Sequence, residues 1–600
     1  MNTPIPSRLA ALRDAMRAQH VTACLIPSAD PHLSEYLPGH WQGRAWFSGF
    51  TGSAGTLIVT ADFAGVWTDS RYFEQAERQL AGTGAQLMKL LVPHTPEHIE
   101  WLCDNLHEGD VLAVAGDTLA LGAKRQLREI LASCGATLRI DLDLPGSAWP
   151  ERPALPGKPV VEHPLEYAIT PRADKLARVR DAMARATATH HLVSALDDIA
   201  WLLNLRGSDV EYNPVFLSHL LIEADRATLF VDAARVEPAL RDKLAADGIA
   251  LADYRAATDA LAKLPADARV LYDPAHVVAA VIDALPETVA VIELPNPSTH
   301  MKAIKSEAEM EHVRAAMRED GAALVKGMHS IEKALAAGEK VTELDVDRVL
   351  REARAARPGF VSESFGTIAG YMANGALPHY SATPERFSEV KAAGLLLVDS
   401  GAQYLGGTTD ITRVWAFGPT TDEQRRDCTY VLKGMIGLSR ARFPKGASGP
   451  QLDALARAPL WQVGADYGHG TGHGVGYFLN VHEGPHGVRP PRTGGACVPL
   501  VPGMITSIEP GLYKPGRHGI RHEDLATVRE SAQTEFGTFY EFETITLCPI
   551  DTRAIEPSLL DSAERDWLNA YHAKCEEQIA PLLDADDDRQ WLHERCKAVA

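Results

Sequence analysis

With 600 residues, 46% hydrophobic and 23% charged, the chain is too long for one core and predicts about three or four domains of ordinary globular composition. Its formal net charge of −20 argues against nucleic-acid or anionic-membrane partners and suits metal cations or a positively charged amine. The eight cysteines are scattered, with no CxxC pair, so no disulfide framework is expected and the compartment reads as reducing. The N-terminus has no apolar signal core, and no run approaches the ~20 apolar residues of a membrane span. A soluble cytoplasmic protein is expected.

Residues 1–150 read as an α/β domain. Leu9 to Arg17 has helical spacing, 21–28, 55–60 and 65–73 are strand-like, and the glycine- and serine-rich stretch 44–56 reads as a turn region. The segment 144–164 holds six prolines. Proline fixes φ and removes a donor, so this is read as an extended linker. Residues 151–303 look like a degenerate repeat of the first domain. A helix is expected over 173–187 and a strand over 190–196. AWLLNLRGSDV (200–210) answers RAWFSGFTGSAG, and LLIEADRATLFVDAAR answers TLIVTADFAGVWTDSR. A short connector, 295–305, leads into the third domain, 304–600. Ser306 and Glu309 make a capping box ahead of Met310, Val313 and Met317, and Thr342 with Asp345 and Thr421 with Gln424 repeat the device. Strand-like segments lie near 361–370, 395–400 and 408–417. The last fifty residues, with Trp567, Leu568, Trp591 and Leu592, read as terminal helices packed on the body.

The chemistry concentrates in the third domain. In LLLVDSGAQYLGGTTDITRV (395–414) an apolar run ends in Asp399, Gly406–Gly407 turns the chain, and a second strand-like run carries Asp410. This reads as a hairpin. Two aspartates converging there repel unless compensated, and two cations compensate them; alone, the stretch also fits a solvated hairpin. GHGTGHGVG (468–476) sets His469 and His473 between glycines that permit close backbone approach. No register of it gives the dinucleotide fingerprint G-x-G-x-x-G. In NVHEGPH (480–486) the letters match HExxH, but Gly484 and Pro485 break the helix that motif needs. His482 remains as a single imidazole on a loop. Glu509 stands where a β-like run meets Pro-Gly, Glu523 follows fourteen residues on, and His379–Tyr380 closes SFGTIAGYMANGALPHY. Each alone also fits an ordinary loop or strand-end residue. Together Asp399, Asp410, His473, Glu509 and Glu523 form a hard, oxygen-rich set. It suffices for two divalent ions about 3.5–4 Å apart and suits Mn²⁺ better than a structural zinc site.

The ordered set Asp–(ten residues)–Asp, His, Glu, Glu resembles the pita-bread metallopeptidases, which include methionine aminopeptidase, prolidase and aminopeptidase P. DSGAQYLGGTTDITR, GHGTGHGVGYFLNVHEGP and the EPGLY…GIRHED pair look most like the three-domain Xaa-Pro aminopeptidases of cytosolic type. The resemblance extends to WLLNLRGSDVEYNPVF (201–216) and to SGFTGSAGT…WTDSRYF. It implies two creatinase-like α/β domains followed by a pita-bread catalytic domain with a C-terminal helical extension. It implies cleavage of the bond between an N-terminal residue and a penultimate proline by a water bridging two divalent ions, Mn²⁺ first, with Zn²⁺ or Co²⁺ as alternatives. It further implies a cytoplasmic homodimer acting on peptides, without nucleic-acid or membrane partners. The implied ligands are Asp399, Asp410, His473, Glu509 and Glu523, with Asp410 and Glu523 shared by both ions. Glu509 is the implied proton shuttle, and His379 and His482 bind the carbonyl and its oxyanion. His469 and His473 face the substrate, and Arg44 reaches it from a neighbouring subunit.

One position departs from the family: His522 replaces the usual apolar residue in the GIRxE run. Alternation aims it away from the metals, so no sixth ligand is expected. Glu541 and Glu543 in YEFETIT are a rival pair for the last ligand; the step from Glu509 and the preceding arginine favour Glu523. Two other readings stay open. One is a prolidase restricted to Xaa-Pro dipeptides, against which the extra α/β domain speaks. The other is a metal-free pita-bread binding module, against which the complete ligand set speaks.

Overall fold

The computed structural model describes residues 3–91, 96–491 and 497–600. The chain folds as two compact units, one running to Leu165 and including Thr170–Ser298, the other comprising Glu166–Ile169 and Thr299 onward.

The first unit contains two six-stranded sheets built to one plan. The first holds β1 (Ala23–Pro27), β2 (Thr56–Val59), β3 (Ala64–Thr68), β4 (Gln86–Lys89), β5 (Val111–Ala113) and β6 (Thr137–Arg139), in the order β4-β3-β2-β1-β5-β6. The second holds β7 (His190–Val193), β8 (His219–Glu223), β9 (Ala227–Phe230), β10 (Ile249–Ala252), β11 (Arg269–Tyr272) and β12 (Ala290–Glu293), in the order β10-β9-β8-β7-β11-β12. In each, the first three strands form an antiparallel meander and the outer pairs are parallel. The matched stretches TLIVTADFAGVWTDSR and LLIEADRATLFVDAAR form the equivalent hairpins. Side chains alternate across a strand. Leu57 and Val59 therefore meet Leu9, Leu12 and Met16 of the helix Ile5–Ala18, while Ile58 meets Leu102 and Leu127 on the other face. The two halves join where Leu121 N donates to Val277 O at 3.1 Å and Ala279 N to Leu119 O at 2.8 Å.

Three stretches expected as turn or linker hold short helices: Gly43–Ser48, Leu144–Ala148 and Pro297–Ala303. Proline at a helix start removes an N–H that would have no partner there anyway, which explains the latter two. Asp143 caps the second by accepting from Gly146 N at 2.8 Å. Gly49, at φ 81°, ends the first.

Among the described residues the second unit has six helices of ten residues or more: α1 (Glu307–Ala336), α2 (Glu343–Ala355), α3 (Asp422–Ser439), α4 (Gly449–Trp461), α5 (Ser562–Ile579) and α6 (Asp586–Arg595). Reciprocal capping boxes start α1, α2 and α3 at the three expected pairs, each worth about 1 kcal/mol. Met310, Val313, Met317, Leu324, Val325, Met328 and Ile331 form the buried stripe of α1. Its longer or site-forming strands are β13 (Ile368–Tyr371), β14 (Leu395–Ser400), β15 (Ile411–Ala416), β16 (Arg442–Pro444), β17 (Gly472–Gly474), β18 (Glu483–Val488), β19 (Ile505–Ile508), β20 (Gly511–Lys514), β21 (His518–Arg521), β22 (Asp524–Thr534) and β23 (Gly537–Thr544), beside short strands that include Phe360–Glu363 and Ala402–Tyr404. They form an antiparallel β13-β14-β15 sheet, a six-stranded sheet ordered β16-β23-β22-β19-β17-β18, and a β20-β21 hairpin. β14 and β15 are buried throughout and pair with Asp399 opposite Thr412 and Ser400 opposite Ile411. Leu568 and Leu592 are fully buried and join Trp415, Leu396 and Met435 in the unit's main core.

Candidate metal centre

Strand ends bring the acidic residues together. Asp399 is the next-to-last residue of β14, Asp410 precedes β15, His473 is the middle of β17, Glu509 follows β19, and Glu523 lies between β21 and β22. Ligand atoms of Asp410, His473 and Glu523 all lie within 4.8 Å of one another. His473 Nε2 is 3.5 Å from Asp410 Oδ2 and 3.4 Å from Glu509 Oε1. Its Nδ1 donates to Gly474 O at 2.9 Å, which leaves the Nε2 lone pair facing the carboxylates. Asp399 joins electrostatically, since its proton affinity responds to the charges of Asp410 and Glu509.

β17 can lie so close to its neighbours only because it is built of glycine. A Cβ on Gly472 would sit 1.9 Å from Ser507 O, and one on Gly474 2.2 Å from Glu483 O. Ser507 Oγ accepts from His473 N at 2.9 Å and donates to Glu509 Oε1 at 3.1 Å, fixing both residues from one hydroxyl.

Two buried arginines, Arg521 and Arg413, organise the carboxylates. Arg521 pairs with Asp399 Oδ2. It also donates to Thr412 Oγ at 3.1 Å, Tyr513 OH at 2.6 Å and Pro378 O at 3.4 Å. Thr412 Oγ in turn donates to Glu523 Oε2 at 2.9 Å. Arg413 binds Asp524 Oδ1 and the Tyr571 hydroxyl, each at 2.7 Å, and the carbonyls of Glu523 at 2.7 Å and Cys548 at 2.9 Å. A third network supports the glycine loop: Arg457 donates to Asp453, Tyr467 O and His469 O, and Thr471 Oγ donates to Asp453 Oδ1 at 2.5 Å.

The donor set fits divalent cations. Asp399 Oδ1 and Glu523 Oε1 are buried and have no hydrogen-bond partner, an expensive state for a carboxylate unless a cation faces it. Burial raises the Asp399 pKa to about 6; the Arg521 charge opposes the rise and that of Asp410 adds to it. Burial also pushes Glu523 well above the carboxylate range, with Asp410, Glu509 and Asp399 adding repulsion. Four carboxylates and one imidazole make an oxygen-rich set suited to divalent cations.

The other expected residues are distributed unevenly. His482 is exposed, and its ring centroid lies 4.3 Å from that of His473, edge-on. His469 donates from Nδ1 to Gly470 O at 2.7 Å, and its Nε2 accepts from Tyr513 OH at 2.8 Å. Burial lowers its pKa to about 4, which keeps it neutral. His379 is half-buried, one residue beyond the carbonyl that Arg521 holds. Arg44 is different: it is 4% exposed, and its fork binds Ser28 Oγ, Phe50 O and Gly52 O. Its donors are engaged inside its own domain, where they hold the turn after Gly49. His522 is fully buried and neither ring nitrogen has a hydrogen-bond partner; it is outside the metal-type cluster. Glu541 binds Arg442 and Arg529, and Glu543 binds Arg314. Residues 483–488 form a strand, not the helix an HExxH site needs.

Comparison with known proteins follows this layout. The model described as Metallopeptidase family M24 matches residues 311–530, and that for the C-terminal region of peptidase M24 matches 538–599. Two models described as Creatinase/Prolidase N-terminal domain match 8–140 and 151–309. The chain is 38% identical to Aminopeptidase P2 of Arabidopsis thaliana, covering 97% of this chain and 86% of that protein. It is 39% identical to a probable Xaa-Pro aminopeptidase P of Laccaria bicolor, over 99% of this chain and 93% of that one. A solved X-prolyl aminopeptidase from Caenorhabditis elegans, described as a cytosolic enzyme with a di-nuclear active site, superposes over 100% of both chains with TM-score 0.93 at 33% identity. With likeness of this degree along its whole length, the chain belongs to metallopeptidase family M24, among the Xaa-Pro aminopeptidases P.

Proposed function

We propose that Asp399, Asp410, His473, Glu509 and Glu523 hold two divalent metal ions, and that the chain uses them to release an N-terminal residue that precedes proline. The chain is a metal-dependent Xaa-Pro aminopeptidase; the observation that carries the site assignment is the convergence of Asp410, His473 and Glu523 within 4.8 Å. Such ions lower the pKa of a water and polarise the scissile carbonyl. Glu509, held through Oε1 by Ser507, takes a proton from the attacking water and returns it to the proline nitrogen as the C–N bond breaks. His379 and His482 donate hydrogen bonds to the oxygen that gains charge. The tautomer of His473, set by Gly474 O, keeps Nε2 unprotonated for a metal.

Mn²⁺ is the proposed native ion, with Zn²⁺ or Co²⁺ as alternatives. Among the described residues no helix is long and apolar enough to cross a membrane, and we assign the enzyme to the cytoplasm. A homodimer is proposed; exposed Leu455, Trp461 and Val463 in and just after α4 support a covered surface there. Purified protein with Mn²⁺ is expected to release arginine from Arg-Pro-Pro and to leave Arg-Ala-Pro intact. Equal cleavage of both peptides refutes the proline requirement.

A further inference from the structure

Glu343 opens α2 and is fully buried. Among the described residues no lysine or arginine pairs with it, so hydrogen bonds alone must compensate its charge. Oε1 accepts from Tyr371 N at 2.7 Å and Asn374 Nδ2 at 2.9 Å. Oε2 accepts from Ser388 N at 2.6 Å and from the Tyr380 hydroxyl at 2.8 Å. Glu343 N donates to Ser388 O at 3.1 Å. These partners are the start, the middle and the end of one excursion, which leaves β13 at Tyr371 and returns after Ser388 toward β14. One carboxylate therefore gathers eighteen residues of loop, 371–388.

That loop carries His379. The residue before it, Pro378, gives its carbonyl to Arg521, which also binds Asp399. The residue after it, Tyr380, gives its hydroxyl to Glu343. The backbone of His379 is thus pinned on both sides, once from the metal cluster and once from α2. The turn Met372–Ala376 also lies directly on β21: a Cβ on Gly519 would be 1.7 Å from Gly375 O.

The geometry points to Glu343 as the positioning residue that sets His379 against the substrate carbonyl, an inference that rests on the role given to His379 above. Every partner is an N–H or O–H, so the position calls for a group that only accepts. Glutamine has the same size but turns an NH₂ toward a backbone N–H whichever way it flips. A donor displaced by ~1 Å loses on the order of 100-fold in rate.

The test is a double-mutant cycle in steady-state hydrolysis of Arg-Pro-Pro with saturating Mn²⁺. Glu343→Gln is expected to lower kcat about 10- to 100-fold, with KM within about threefold and metal content unchanged. Tyr380→Phe, which removes one of the bonds, is expected to lower kcat by about 3- to 10-fold and serves as the probe if Glu343→Gln folds poorly. In a His379→Ala background either change should cost less than about twofold, because its target is already gone. If His379→Ala is impaired but the second change costs the same factor in both backgrounds, Glu343 acts on stability and the inference fails. If His379→Ala is fully active, the His379 assignment itself fails and the inference with it.

Discussion

Stripping divalent ions with EDTA leaves Asp399, Asp410, Glu509 and Glu523 to face one another, and the pH dependence of that state follows from Asp399. Its pKa is raised from 3.8 to about 6, first by burial. A carboxylate raised by folding binds its proton more tightly folded than unfolded. Its contribution to metal-free stability is therefore complete below about pH 3.8 and lost as pH rises through about 6. The gap of about two pH units, at 1.36 kcal/mol each, amounts to roughly 3 kcal/mol. About half is lost already at pH 5, so local opening between pH 5 and 7.5 should rise about tenfold. Glu523, raised for the same reasons, acts in the same direction. The assay is hydrogen–deuterium exchange in EDTA, read on peptides covering 395–416 and 505–527 and corrected for the intrinsic pH dependence of exchange. Protection should fall from pH 5 to 7.5 and return with Mn²⁺. The isosteric Glu523→Gln should protect the metal-free site better than wild type at pH 7.5 while gaining less from Mn²⁺. Metal-free protection that is flat or rises with pH, or a Glu523→Gln variant no better protected than wild type, refutes the electrostatic account.

Three further outcomes are expected. His522→Ile removes an imidazole with two unpartnered nitrogens, so the second unit should gain about 1–3 kcal/mol in urea unfolding, with kcat within about twofold. Loss of stability would show that the ring is satisfied after all. His32 and His191 are lowered to about 4 by burial, so the stability they protect is whole above pH 6.5 and lost as pH falls toward 4, roughly 3 kcal/mol for each ring. Exchange at residues 23–27 and 190–193 should report acid loosening of the first unit, opposite in sign to the metal-free site; unchanged protection down to pH 4.5 would contradict it. Gly472→Ala places a Cβ 1.9 Å from Ser507 O, must push β17 off β19, and should cost more than about 100-fold in kcat/KM with loss of bound Mn²⁺; a variant with normal kinetics would rule out the close-packed strand.

Much of this is legible in the sequence. Period, turn residues and capping pairs are local signals, so the Asp399–Asp410 hairpin, the repeated α/β plan and the starts of α1, α2 and α3 could be read directly. The glycines around His473 announced close approach, though not that the neighbours would be Ser507 O and Glu483 O. The short helices at Leu144–Ala148 and Pro297–Ala303 were hidden because proline at a first turn looks the same as proline in a linker. The supporting networks were hidden for another reason. Arg413 meets Tyr571 and Arg521 meets Asp399, partners more than a hundred residues away, and nothing within a ten-residue window marks such a pairing. Glu343 has no sequence signal of its own, since only its neighbours Thr342 and Asp345 mark the helix start. Arg44 stands out in the sequence only by family resemblance, and no local signal marks its burial or its three acceptors, Ser28, Phe50 and Gly52.

The reach of Arg413 to Tyr571 has a bearing on biosynthesis. All five acidic and imidazole residues leave the ribosome well ahead of α5, yet the arginine that fixes the Glu523 backbone finds its hydroxyl partner only on that late helix. A nascent or prematurely ended chain therefore carries these five residues without the Tyr571 hydroxyl that completes the Arg413 network.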